Sequence, residues 1–449
     1  MIVREAKLLN GSKAQYKALD EAIRTAQFIR NKAVRLWRDE SKVDKARLSL
    51  LCKELAREFP FAKKLNSMAR QASSERAWNS ISSFYRRCRE GAKQKGYPQF
   101  KKHSRSVEYK TSGWKLSEDC LAINFTDGFK AGKFSVFCDR ETREDLFRLK
   151  INRVRVIRRA DGYYAQFCFD ATRKEIGNYT GNAIGIDLGL KYFYKDQNDN
   201  ATTYPKYLRR SEKRIKKLQR RLSRKFVKGK KPQSNNYQKA RIRLGKAHLK
   251  VQRQRKDWAV KLRCDPAPSH GRGLQGADAG SAHSPSARER APREARCVVA
   301  SNDVVAYEDL KIQNLVKNHH LAKSISDASW YQFTQWLDYF GKVWDKTVIA
   351  VAPNYTSQDC FNCGHRVKKS LSTRTHQCPQ CKIEICRDTN AALNILKKGM
   401  NVLGIEWNHS TQGHWETAGE PGTLEETTTP AVDRQLETVS GVDESRITL

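Results

Sequence analysis

The chain has 449 residues and a formal net charge of +38, with 86 Lys and Arg against 48 Asp and Glu. Such an excess of one sign costs self-repulsion unless a polyanion is the usual partner, which points to nucleic acid. No apolar run is long enough to span a bilayer, and the charged start MIVREAKLLNGSKAQYKALDEAIRTA has no signal-peptide pattern, so the expected setting is cytoplasmic with no membrane partner.

Residues 1–9 read as a strand. From 13 to 58 the apolar positions Tyr16, Leu19, Ile23, Ala26, Ile29, Ala33 and Leu36 recur at helical spacing, and 65–93 is helical again. A turn signal at Gly96 and Pro98 ends that block. Residues 105–170 alternate as strands, with an Asp161-Gly162 hairpin turn. Residues 182–194 form a short apolar strand run. Two basic helices follow between 209 and 262, broken at Gly229–Pro232; Arg209 to Lys256 holds 21 Lys or Arg against one acid, Glu212. Arg220, Arg221, Arg224 and Lys225, with Lys101 and Lys102 further back, are the expected phosphate contacts, against the plainer reading of a solvated face.

Residues 263–294 are rich in Ala, Pro, Gly, Ser and Arg, and predict a disordered insertion or a local reading-frame disruption. Beyond it, 298–312 reads as a strand and turn, 325–346 as a helix, 347–353 as a strand, and Asp388 to Lys398 as a helix closed by Gly399. Residues 409–449, with eight acids and two bases, predict a disordered acidic tail.

Twelve cysteines are present, five of them between 360 and 386. Cys360 and Cys363, then Cys378 and Cys381, make two CxxC knuckles separated by 14 residues, a spacing that places four thiolates around one structural zinc. Cys386 stands outside the pattern, and His365 and His376 are unnecessary as ligands.

Three acids sit at the edges of apolar elements. Asp187 lies in Ile184-Gly-Ile-Asp-Leu, Glu308 ends Val304-Val-Ala-Tyr-Glu, and Asp388 opens a helix. Each alone has an ordinary explanation: a paired surface acid for Glu308, a helix cap for Asp388. Together, in a basic protein, they suit binding of magnesium or manganese for phosphodiester hydrolysis. Gly185 and Gly189 beside Asp187 are expected to leave room for a DNA backbone.

The ordered set GIDLGLKYF, VAYEDLKIQNLVKNHHLAKSISDASW, YTSQDCFNCGHR, CPQC and RDTNAALNI, with the earlier KGYPQFKK, resembles the TnpB/OrfB proteins of insertion-sequence transposons, relatives of the compact type V CRISPR effectors. The resemblance covers most of residues 1–400. It implies a multidomain α+β chain: a β-barrel wedge (1–10 and 100–180), a helical recognition insertion (11–99), a RuvC-like nuclease domain of ribonuclease H fold (181–355 and 385–408), and a zinc ribbon (356–384). It also implies catalytic roles for Asp187, Glu308 and Asp388, a guide RNA from the transposon end, and metal-dependent cleavage of target DNA. Lys382 and Cys386 depart from the family pattern, where Gly and an acid or amide are usual. Competing functions are a transposase or transposition accessory protein, a nuclease-inactive guided binder, and a zinc-ribbon scaffold. Tyrosine transposase chemistry is disfavoured, because His319 and His320 are adjacent and lack the spacing of a metal pair.

Overall fold

The computed structural model describes residues 2–92, 94–172, 177–230, 232–260, 295–370 and 372–405. The expectations for 263–294 and for the tail 409–449 lie outside the described residues.

Strand β1 (Ile2–Leu9) leads into four helices, α1 (Lys13–Asp39), α2 (Lys45–Glu58), α3 (Pro60–Lys64) and α4 (Ser67–Arg89). Ser12 starts α1 by a capping box: its hydroxyl accepts the Gln15 N–H at 3.2 Å, and the Gln15 side chain accepts the Ser12 N–H at 2.9 Å. Asp44 and Asn66 cap α2 and α4 in the same sense. The stretch 13–58 is therefore not one helix. It breaks where Glu40 turns extended and Asp44 restarts it.

Seven strands then close one antiparallel sheet. They are β1, β2 (Ser106–Tyr109), β3 (Trp114–Leu116), β4 (Ala122–Phe125), β5 (Gly132–Phe137), β6 (Ile151–Arg159) and β7 (Gly162–Phe169), in the order β2-β6-β7-β1-β5-β4-β3. The first strand thus lies between partners more than a hundred residues away. Leu19, Ile23 and Ile29 of α1 share a core with Val107, Phe134 and Phe167 of the sheet. One expectation fails here. Residues 105–170 are not strand throughout, because Asp139 caps α5 (Arg140–Arg148), which buries Leu146. The hairpin turn also falls one residue earlier than read: Gly162, at a φ of +137°, already pairs with Arg159.

The second sheet has five strands: β8 (Ala183–Leu188), β9 (Tyr194–Asp196), β10 (Ala201–Thr202), β11 (Val304–Glu308) and β12 (Thr347–Val351), in the order β10-β9-β8-β11-β12. β8, β11 and β12 run parallel, and β9 and β10 are antiparallel additions. Between β10 and β11 come α6 (Tyr207–Ser223), α7 (Asn235–Val260) and α8 (Ala295–Ser301). Residues 298–301 are thus helical rather than strand; the β-branched pair Val298-Val299 is buried against Phe333 and Leu337, so packing overrides propensity. Next come α9 (Ile312–Leu315), α10 (His319–Ala328) and α11 (Trp330–Trp344). A small hairpin, β13 (Thr375–Gln377) with β14 (Glu384–Cys386), leads directly into α12 (Arg387–Val402).

The two faces of this sheet differ. Ile184, Ile186, Val305 and Tyr307 join the core built on α8 and α11. The alternating positions, Ala183, Val304 and Ala306, pack against Leu396, Met400 and Ile395 of α12. Two glycines permit that close approach. A Cβ on Gly185 would run into the Ala392 carbonyl and come within 2.8 Å of Leu396, and one on Gly399 would come within 2.6 Å of Ala306. Gly399 therefore does not close the helix, which continues to Val402. Nor does Gly185 leave room for DNA, since α12 fills that space. Among the described residues no helix is long and apolar enough to cross a membrane.

Candidate metal centres

Strand alternation places the acids. Asp187 follows Gly185 on the face of β8 that looks at α12, and Glu308 follows Ala306 on the same face of β11. Gly185 and Ala306 are direct partners across the parallel ladder, so the two acids come two residues further along neighbouring strands. Asp388 is the second residue of α12, in the first turn, where the helix dipole favours negative charge. Residues about 200 positions apart thus meet at one end of one sheet face.

Asp187 is the least relieved acid of the cluster. Burial, then Glu308, then Asp388 push the Asp187 carboxyl well above the usual carboxylate range, with Arg387 opposing. Glu308 is 8% exposed, and burial raises it too; the Thr356 hydroxyl donates to it and Lys398 opposes the rise. Asp388 Oδ1 accepts from Arg387 Nε at 3.2 Å and Nη2 at 3.1 Å, and Arg374 Nη1 stands 3.7 Å from Oδ2. Among the described residues the four cysteines form the one set of three or more His, Cys, Asp or Glu whose ligand atoms all lie within 4.8 Å of one another, so the carboxylates stand further apart than the thiolates.

Sequence spacing did not reveal the groups around these acids. Lys195 is the ladder partner of Asp187 from β9, so its side chain shares that face. Its Nζ lies 2.6 Å from Asp199 Oδ1 and bonds Cys386, while Asp199 accepts from Thr389 of α12. Only the β8–β9 register could have exposed it. Asn390 and Asn394, four apart on α12, donate to the Thr356 and Asp359 carbonyls, and Asn390 accepts the Phe361 N–H at 3.1 Å. The repeated Asn in RDTNAALN was the available signal: these amides tie α12 to the first cysteine knuckle.

The thiolate cluster is compact. Cys360 Sγ is 3.6 Å from Cys381 Sγ, and Cys363 Sγ is 3.4 Å from Cys378 Sγ. Four thiolates about 2.3 Å from a tetrahedral zinc have edges of about 3.8 Å, so the donor set fits with little movement. Each knuckle is a tight turn, with Gly364 N–H bonding the Cys360 carbonyl at 2.8 Å and Lys382 N–H bonding Cys378 at 3.0 Å. Gly364 and Lys382 both take positive φ, +77° and +60°. The Ile383 amide leads the effects that lower the Cys381 thiol to about 6, whereas burial pushes Cys360 up to about 12. His365 and His376 lie outside the set; His376 is fully buried with Lys369 against its Nδ1.

The basic helices α6 and α7 pack side by side. Arg220 and Arg221 in the last turn of α6, and Arg224 and Lys225 just beyond it, are all exposed, and the acid Glu212 pairs with Lys216 and Lys323. Asp327 holds the hairpin's root, accepting the Leu208 and Arg209 N–H groups and pairing with Arg255. Lys101 and Lys102 are exposed, and their carbonyls anchor the segment to Gln27 and Asn31 of α1.

Two family models match in chain order. Residues 166–264, which hold Asp187 and the basic helices, match a family described as "Probable transposase" (OrfB_IS605). Residues 330–395, which hold the four cysteines and Asp388, match a family described as "Cas12f1-like, TNB domain". A protein of Streptomyces pristinaespiralis named "Putative RNA-guided DNA endonuclease" is 31% identical over 223 residues, 49% of this chain and 46% of that one. Its counterpart InsQ of Escherichia coli (strain K12), named in the same words, is 25% identical over 241 residues, 50% of each. The chain spans about half the length of the curated relatives it matches. Its fold is similar to the Cas12f1 chain solved with sgRNA and target DNA, with a TM-score of 0.51 at 12% identity over 86% of this chain and 83% of that one. Motif order and the two family matches agree, and the chain is similar to the TnpB/OrfB proteins of insertion-sequence transposons.

Proposed function

We propose that this protein is a transposon-encoded, RNA-guided DNA endonuclease that hydrolyses phosphodiester bonds at Asp187, Glu308 and Asp388. The observation that carries the reading is the raised Asp187 carboxyl, held beside Glu308 and Asp388 by parallel neighbouring strands and one crossing helix. Buried acids that repel one another are costly unless a cation joins them. Asp187, Glu308 and Asp388 would hold magnesium or manganese, which supplies Lewis acidity toward a phosphodiester. Arg374 and Arg387 orient Asp388 and add positive charge where a phosphate must approach. The four-cysteine site, closed by its own ligands, would hold zinc as a structural ion and fix the start of α12.

The arrangement of the sheets supports the domain reading. β1 is central in a sheet whose other strands run from 106 to 169, with α1–α4 intervening, as a wedge of 1–10 and 100–180 with an insertion at 11–99 requires. The five-stranded sheet with α12 would then be the RuvC-like nuclease domain, 181–355 and 385–408, and residues 356–384 the ribbon. Guide RNA and target DNA are the proposed partners, with exposed cations such as Arg220, Arg221, Arg224, Lys225, Lys101 and Lys102 on the phosphates.

Sequencing the RNA that copurifies with the protein, then offering duplex DNA matched to it, tests the whole reading. A discrete structured RNA, magnesium-dependent cuts, and a loss of about a thousandfold or more in Asp187→Ala with binding retained are expected. Random RNA fragments, or cutting by Asp187→Ala at the parent rate, would refute it. The transposase reading predicts joined strands as products instead.

A further inference from the structure

The turn between α6 and α7 is built unlike the rest of the basic hairpin. Two large apolar side chains stand in solvent there, Phe226 at 55% and Val227 at 52% exposure. The Phe226 ring is 6.0 Å from the half-buried Tyr237 ring of α7. The turn is pinned: Val227 N–H donates to Gln233 Oε1 at 3.0 Å, and Gln233 Nε2 donates to the Val227 and Lys230 carbonyls at 2.7 and 2.6 Å. Ser223 accepts the Phe226 N–H at 3.1 Å, and Gly229 supplies the positive φ of +80° that the reversal needs. Arg224, Lys225, Lys228 and Lys230, all exposed, flank Phe226 and Val227 in the same turn.

A core residue would not be held outward on a turn fixed by three side-chain hydrogen bonds. An apolar protein partner would have to approach through four cations. The occupant that satisfies both features is a polyanion with flat apolar faces, an unpaired stretch of nucleic acid. Duplex does not suit the rings, because its bases already stack on each other and leave no open face for a ring.

We infer that the Phe226–Tyr237 pair at the α6–α7 tip is a stacking platform for unpaired bases of a single-stranded nucleic acid. It rests on the reading of the chain as a nucleic-acid binder and not on its nuclease activity. The helices below it grip backbone, and the tip grips a base.

Fluorescence anisotropy with the full chain separates the two roles, using a short unstructured pyrimidine RNA, the same sequence as DNA, and a DNA duplex. Phe226→Ala should weaken both single strands about tenfold, leave the duplex within about twofold, and leave the salt dependence unchanged. Phe226→Trp should restore affinity, while Phe226→Leu, which keeps apolar area without a ring face, should not. Neutralising Arg220, Arg221, Arg224 and Lys225 together should instead flatten the salt dependence for all three probes. Unchanged single-strand affinity in Phe226→Ala, equal loss on duplex, or rescue by Leu would overturn the platform alone. A shift in self-association with nucleic-acid affinity intact would assign the tip to a protein partner and also overturn it. If the parent bound none of the probes, the nucleic-acid reading would fall and the platform with it.

Discussion

Both sheets carry an acid on a buried strand face, and they treat it in opposite ways. In the seven-stranded sheet Glu108, 3% exposed, receives Arg153 Nη1 at 2.9 Å and both Arg155 Nε at 3.0 Å and Nη2 at 2.8 Å. Burial opposes ionisation there, yet Arg155 and Arg153 outweigh it and hold the carboxyl below its ordinary range. In the five-stranded sheet the charges nearest Asp187 include two more acids, and its carboxyl is raised. The first sheet completes its electrostatics within the chain. In the second, Arg387 opposes the rise at Asp187 without outweighing burial and the two neighbouring acids, and a carboxyl left raised in this way marks a candidate site rather than a scaffold.

The largest effect that sharpens this contrast comes from the ribbon. Asp388 belongs to the cluster only because α12 begins where the ribbon ends and is tied to it through Asn390 and Asn394. Elemental analysis should give about one zinc per chain. Cys378→Ser should lose it, forfeiting zinc-dependent stabilisation on the order of 10 kcal/mol locally, and exchange protection should fall in the ribbon and the first turn of α12 while the seven-stranded sheet is untouched. Full zinc retention would refute the ligand set.

A smaller effect probes the approach of α12. Gly185→Ala puts a methyl against the Ala392 carbonyl and Leu396, backbone that cannot swing away. The expected cost is about 3 kcal/mol, read as a lower chemical-denaturation midpoint, with cleavage reduced because Asp187 and Asp388 are pushed apart. Unchanged stability would mean that α12 sits less tightly than the sheet geometry indicates.

Much of this is legible in the sequence, and the exceptions have physical causes. The α1 stripe and the two CxxC knuckles are local patterns, carried by spacing within a few residues. The nine residues of α5 offer too short a period to stand out from flanking strands, and Val298-Val299 favours strand until α11 packs on it. Gly185 and Gly399 looked like a ligand opening and a helix stop. They are instead the contact points of one helix with one sheet, a fact that lives in tertiary structure. Lys195 was invisible for the same reason: only the β9 register sets it opposite Asp187.

The last and smallest effect tests the opening comparison by its sign. Glu108→Gln removes an acid whose folded-state carboxyl is depressed, so it removes stability that is present above the unfolded value near about 4.3 and lost as pH falls through the lower folded value. With Arg153 partly exposed, the cost at neutral pH should be about 1 to 2 kcal/mol and should shrink toward acid. Asp187→Asn, in metal-free protein, should run the other way. Its carboxyl is raised, so its contribution is intact below about 3.9 and is lost as pH rises through the folded value. The variant should therefore gain about 1 kcal/mol at neutral pH and nothing in acid. Added magnesium should reverse the order, stabilising the parent and not the variant, because the ion binds the folded carboxylates. Melting curves of both variants across pH, with and without magnesium, read all of this. Equal signs for the two substitutions would erase the distinction between a paired acid and a raised one, and with it the electrostatic case for a metal at Asp187.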